Sequence, residues 1–512
     1  ADRREPAMSF SAICLLCLLR STVAATLAVS LVEPIRRTLA DANPRLRRWL
    51  IGLLAAIVLF PPLLVGYHYN GALLTISQSP TWRIPGLPGW DRFRGLVASH
   101  LDLVSEFWLI ALIASRVLPV GVLAASLLTP VRAIARQTHL ARLPLRHRDL
   151  PAWNRSWGFV TTWMRGWLQR GGPGWVLMFM LGFQEYELAT RLGRPAWTAW
   201  LIDALAARVP WTECLTRLLL PVAVQLTPLV GLWWVASPVA GTVGQTRQQT
   251  AAPSRVNRWV AWGATLWAAW WVVGLPLGSL FLDAGRGANA LLKQPAVVLL
   301  LLRESTVGWL VSGLAGLAAL AVASRILGGK RSRSRLGQRL APLLLIPGLL
   351  GSLALALMAV RVTGGLGSSG LGRTVIPWTM TTILWLLPRA ACLVALSGRW
   401  IAPPALHIAR LLRGRPGDAR AREGDRLLFR HVWLGRYWLW CLSCQMAFFE
   451  LPLAQLLAPA GMASAPVSLY TQMHYGRVDV LSAMSVLVLG SSIAWCVLAG
   501  LALILSRPWI ER

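Results

Sequence analysis

Polar positions are sparse along this chain and gather in clusters. Between the clusters run apolar stretches of about 20 residues, the length a helix needs to cross the hydrocarbon core of a bilayer. They fall at roughly 9–32, 48–67, 104–128, 174–190, 213–236, 258–281, 300–323, 340–360, 374–397, 430–450 and 478–504. The pattern predicts an all-α polytopic membrane protein with about 11 spans. Composition agrees. Charged residues make up 14% of the chain, against about 25% in an ordinary soluble domain. The 28 tryptophans suit a protein with two bilayer interfaces, where indole rings settle at headgroup level.

The formal charge of +31 could mark a nucleic-acid binder, but its distribution points elsewhere. Loops 33–47, 129–173, 237–257, 324–339 and 398–436, with the C-terminal tail, carry the greater part of the 51 Lys and Arg. Excess Lys and Arg mark the cytoplasmic side of a membrane. The expectation is a multi-pass protein of a bacterial inner (plasma) membrane, in contact with lipid, with its C-terminus in the cytoplasm and no nucleic-acid partner. Eleven spans then put the first residue outside. The opening "ADRREPA" has no signal-peptide organisation, so an upstream helix is expected to be missing, the alternative being that Met8 is the true start and the first span a signal-anchor. Cys14/Cys17 and Cys441/Cys444 are spaced as CxxC. They lie in apolar stretches without His at ligand spacing, which favours small packed residues over metal or redox chemistry.

The sequence also repeats itself. "LLRSTVAATLAVSL" at 18–31 resembles "LLRESTVGWLVSGL" at 301–314, setting Ser21 opposite Ser305 and Thr22 opposite Thr306. A basic loop follows each, then a proline-bearing helix (Pro61-Pro62; Pro347) and a further helix with Pro119 or Pro388. "PVRAIAR" at 130–136 faces "PALHIAR" at 404–410, and "FQEYELATRL" at 183–192 faces "MAFFELPLAQ" at 446–455, which pairs Glu187 with Glu450. The second half has one helix, 259–282, with no counterpart in the first. Restoring it gives six helices per half, an even number, so the two repeats are parallel. The expected divisions are a first repeat 1–236 truncated at its N-terminus, a cytoplasmic linker 237–257 and a second repeat 258–512.

In helix order, and most specifically in "ELPLAQLLAPAG" followed by "LYTQMHYG", the chain resembles the permease subunit of a binding-protein-dependent ABC importer, in the fused double-length iron(III)-type branch. The resemblance implies a solute path between the two repeats, a periplasmic or extracellular solute-binding protein, and a cytoplasmic ABC ATPase dimer. ATP and magnesium would bind that partner, leaving this chain without a cofactor or a catalytic residue of its own. The ATPase would dock on loops 129–173 and 398–436. There the family's coupling motif starts Glu-Ala-Ala. By the match through P-x-x-x-I-A-R, Arg132, Ala133, Ile134, Ala135 and Arg136 occupy it in the first half, and His407, Ile408, Ala409 and Arg410 in the second. Ala133 and His407 stand where the family has Glu, so the motif is degenerate in both halves. That departure keeps open a permease-derived scaffold or regulatory protein no longer coupled to ATP hydrolysis.

Glu187, Glu450, Tyr470 and His474 are the candidates for an outer-side gate or substrate path. Each glutamate is expected to end a helix leaving a coupling loop, as polar lip or interfacial cap. Tyr470 and His474 share a face if helical; lacking a carboxylate close in sequence, they suit a gating helix better than a metal site. Arg20 and Arg303 are expected to snorkel toward a membrane surface. No phosphate loop of the GxxxxGK[ST] type is present, and the histidines lack zinc-ligand spacing. Nothing supports an enzyme within this chain.

Overall fold

A computed structural model describes residues 8–78, 95, 97–128, 171–236, 254–328, 341–365, 374–400, 407–409, 411–412, 419–473 and 478–506. The described elements are helices, and seven are long and apolar enough to cross a membrane, or nine if each of two sharply bent pairs counts as one span. The chain is an all-α polytopic membrane protein. It divides into two compact units, Ala1–Leu277 and Gly278–Arg512.

The first unit opens with α1 (Phe10–Asp41). Its Ser9 side chain accepts from Ala12 N at 3.3 Å, and the Arg47 guanidinium caps its end by donating to the carbonyls of Leu39, Ala40 and Ala42. α2 (Pro44–Leu59) begins with proline at N1 behind an Asn43 cap. The apolar stretch expected at 48–67 does not run straight. α2 and α3 (Pro62–Gln78) meet at a 78° bend, because Pro61 and Pro62 lack the N–H groups that a continuous helix requires there. α4 (Leu101–Leu128) follows, with Pro119 inside.

α1 packs along α4 on a stripe that includes Cys17, Ser21, Ala24, Ala25, Ala28, Val32 and Ile35, all buried. Small residues on such a stripe let two membrane helices approach closely. The stretch expected at 174–190 becomes α5 (Gly171–Phe183), a turn, and α6 (Glu187–Arg191). α7 (Trp197–Ala206) and α8 (Trp211–Ala236) complete the series.

α9 (Arg255–Ala269) packs on α1 and α2 and runs through a π-helical turn, Trp270–Gly274, into α10 (Leu275–Leu292). A π-turn displaces a carbonyl from the regular ladder, and here the Tyr69 hydroxyl donates to Trp271 O at 2.7 Å. Tyr69, Trp108 and Trp271 form a ring cluster with centroids 4.8–5.9 Å apart. The expected repeat boundary at 258 concerns descent; packing groups α9 with the first unit.

The second unit contains the remainder of α10, then α11 (Pro295–Gly328) and a 3-10 turn at Ala341–Leu345 leading into α12 (Ile346–Leu349). A 105° bend separates α12 from α13 (Ser352–Gly365). Gly351 sits in that bend at φ +99°, a conformation open to glycine at little cost. α14 (Ile376–Trp400) carries Pro388. α15 (Ala419–Leu428) continues through a π-turn, Phe429–Trp433, into α16 (Leu434–Phe448). α17 (Leu451–Leu457), α18 (Ala465–Gln472) and α19 (Val478–Leu505) follow.

Along the chain, α1–α8 and α11–α19 each run as a long helix, a bent pair, a proline helix, a helix ending near a glutamate, two short helices and a last span, and the first unit also holds α9. α1 packs on α4 and α11 on α14, α3 on α6 and α13 on α17. In the register that sets Ser21 opposite Ser305, the buried residues Cys17, Ala24, Ala25, Ala28, Val29, Val32 and Ile35 fall opposite Leu301, Gly308, Trp309, Ser312, Gly313, Gly316 and Ala319, which are also buried.

Candidate functional site

Of the sequence-derived candidates, Glu187 lies in the first unit and Glu450 and Tyr470 in the second. Arg132, Ala133, Ile134, Ala135, Arg136, Arg410 and His474 lie outside the described residues. His407, Ile408 and Ala409 are helical, the first two exposed and the third buried.

Glu187 is the first residue of α6 and is 6% exposed. The turn ahead of it is tied down from both sides. Glu185 Oε1 accepts from Leu188 N at 3.2 Å, and the buried Trp197 indole donates to Phe183 O at 2.7 Å. Gly66 of α3 lies against α6, so that a Cβ added there would stand 2.8 Å from Arg191 Cβ. The glutamate is thus packed inside the unit and not spread on its rim.

Beside that turn, the first unit holds a charge network. Arg20 of α1, 4% exposed, makes a bidentate pair with Glu106 of α4 and donates to Pro195 O at 2.5 Å. Arg194, in the turn before α7, pairs with Glu106 at 3.2 Å and with Asp102. Arg20 does not snorkel as expected. A fork of guanidinium donors matched to one carboxylate satisfies it inside the protein, which lowers the cost of a charge within the bilayer. Arg303, in contrast, is exposed. A small cavity lined by Cys17, Arg20, Gly182, Glu185 and Ala196 adjoins the network.

In the second unit Glu450 is the N-cap residue of α17, half-buried, with Pro452 in the first turn. Its side chain makes no capping bond to that helix, but it acts electrostatically on Arg389 of α14. Arg389 stacks on the Trp385 ring at 3.8 Å and donates to Trp385 O at 2.7 Å and Gly348 O at 3.2 Å. α12 lies so close to α14 that a Cβ on Gly348 would be 2.4 Å from Leu384 O. Tyr470, half-buried on α18, belongs to the same unit.

The acidic turn thus has an arginine nearby in both units, from different helices, Arg20 buried and Arg389 half-buried. Sequence inspection missed Glu106, Arg194 and Arg389, since their partners lie far along the chain. The signal for Glu106 and Arg389 was an isolated charge within an apolar stretch. Among the described residues, no group of three or more His, Cys, Asp and Glu could hold a metal ion. Chemically, the two turns differ: Glu187 is enclosed, whereas Glu450 is half-buried beside Arg389. No protein-family model, curated protein or solved structure matches this chain.

Proposed function

We propose that the chain is the permease subunit of a binding-protein-dependent ABC importer, with an internal duplication whose two repeats together form the solute path. The observation that carries this reading is the repeated order of elements. Two units run the same series of long helix, bent pair, proline helix and glutamate-bearing turn, and their long helices bury equivalent positions. Duplicated helical sets of this kind supply the two halves that alternate access requires. The turns bearing Glu187 and Glu450 would face the outer side as gate or path. Loops 129–173 and 398–436 would meet a separate ATPase dimer, and a soluble binding protein would deliver the solute. Iron(III) is the first solute to test, on the resemblance alone.

Co-purification tests the reading. The chain in lipid nanodiscs should retain a candidate ABC ATPase. Deleting 130–136 or 404–410 should reduce that retention at least tenfold while leaving the melting temperature of the chain unchanged. Equal retention by the intact and deleted chains would overturn the assignment of the coupling loops.

One observation favours a second reading. Ala133 and His407 replace the coupling glutamate in both halves, as expected of a permease-derived scaffold that no longer answers to ATP. Such a chain would retain no ATPase at all.

A further inference from the structure

Glu304 of α11 occupies, in the second unit, the place that Arg20 holds in the first when Ser21 is set opposite Ser305. Arg20 is neutralised by Glu106 across the α1–α4 contact. In the corresponding register of α14, where Pro388 matches Pro119, the residue opposite Glu106 is Val375. Glu304 therefore lacks the counterpart of that ion pair.

Its surroundings are oxygen-rich instead. The carboxylate takes a hydrogen bond from the Ser468 hydroxyl on α18, and the positive charge that acts on it comes from Arg303, whose side chain is on the exposed face of α11. The other carboxyl oxygen is buried without a hydrogen-bond partner among the described residues. The same holds for the hydroxyls of Ser305 and Ser464, each 1% exposed. Ser464 is the N-cap residue of α18, yet its hydroxyl makes no capping bond. Its side chain lies against Gly308, one turn along α11 from Glu304, where an added Cβ would be 3.2 Å from Ser464 Cβ.

Three buried oxygen atoms without a hydrogen-bond partner among the described residues, one each from Glu304, Ser305 and Ser464, thus lie on neighbouring residues of α11 and at the start of α18. A buried unpartnered oxygen is costly, and an ionisable group inside a membrane is a default functional candidate. The start of α18 offsets at most about half an elementary charge, which leaves most of the carboxylate uncompensated. Carboxylate and hydroxyl oxygens are hard donors that suit hard cations, and a single formal charge matches a monovalent one.

We propose that Glu304, Ser305, Ser464 and Ser468 form a binding site for a small monovalent cation (Na⁺, K⁺ or ammonium) within the second unit. The site does not depend on the importer reading. It would neutralise Glu304 and join α11 to α18.

The test is thermal unfolding of the purified full-length chain in detergent, in NaCl, KCl, NH₄Cl or choline chloride at equal ionic strength. At least one small cation should raise the melting temperature saturably over choline, and the ranking of half-saturation concentrations would identify the occupant. Glu304→Gln should abolish the dependence, whereas Glu213→Gln, which disrupts a pair with Arg217, should keep it. Should Glu304→Gln not fold, Ser305→Ala and Ser464→Ala decide, because both retain the carboxylate. Each should raise the half-saturation concentration roughly tenfold, the loss of one coordinating oxygen being worth about 1.4 kcal/mol. Equal melting temperatures in all four salts, cation dependence surviving Glu304→Gln, or unchanged half-saturation in both serine variants would overturn the proposal.

Discussion

Arg20 and Glu106 illustrate how a charged pair can sit inside an apolar bundle. Removing either partner leaves the other charge buried and unpaired, at a cost of about 3–5 kcal/mol, whereas replacing both with apolar side chains is often neutral or stabilising. Arg20→Met and Glu106→Leu should each lower the melting temperature sharply, and the double variant should recover most of the loss. Equal additivity of the two would show that the pair contributes no coupling. Asp102, with a side chain 89% exposed, is bound to the same network but pays little desolvation, so Asp102→Asn should shift stability by no more than about 1 kcal/mol. The sequence made Arg20 conspicuous, a lone cation in an apolar stretch, yet it could not reveal the burial. That depends on Glu106 and Pro195, both distant along the chain and brought close only by helix packing. Glu187 shows the same limit: its position at a helix end was legible, its enclosure by α3 was not.

At the scale of elements, backbone proximity sets the tolerances. A Cβ on Gly287 of α10 would stand 2.1 Å from Asp479 O of α19, and one on Gly348 would meet Leu384 O at 2.4 Å. These contacts are with backbone, which cannot rotate aside. Gly287→Ala and Gly348→Ala should each destabilise by about 1–3 kcal/mol. Gly285→Ala, with nothing near its Cβ position, should be neutral or slightly stabilising in its helix. Thermal melts of the three variants check this, and a Gly287→Ala protein as stable as Gly285→Ala would contradict the α10–α19 contact. Apolar run length located the long described helices because a span needs about 20 apolar residues whatever surrounds it, but not the short helices α6, α7, α15, α17 and α18. The bend at Pro61-Pro62 was not expected, since the apolar run 48–67 read as one span across both prolines. Nor was the 105° bend before α13, since it turns at Gly351, a glycine among several in that stretch and four residues past Pro347.

For the whole molecule, the charge pattern predicts an orientation, with the C-terminus in the cytoplasm, that labelling can check. In a background without the seven native cysteines, Met462→Cys should react with an impermeant maleimide added outside, and Ser506→Cys only after the membrane is opened. The reverse pattern would invert the topology. The proposed duplication rests on short sequence matches that recur in the same order. Function was far less legible. The coupling segments carry Ala133 and His407 where the resembled family has glutamate, and a docking loop is defined by its partner as much as by its own residues.

The central claim, that this chain passes solute under the control of ATP, rests most directly on one measurement. When the chain is co-reconstituted in liposomes with a candidate ABC ATPase and solute-binding protein, the complex should hydrolyse ATP several-fold faster on addition of solute-loaded binding protein. Deletion of 130–136 or 404–410 should abolish that stimulation. A complex that assembles but hydrolyses ATP at the same rate with and without loaded binding protein, in intact and deleted chains alike, would contradict the importer reading.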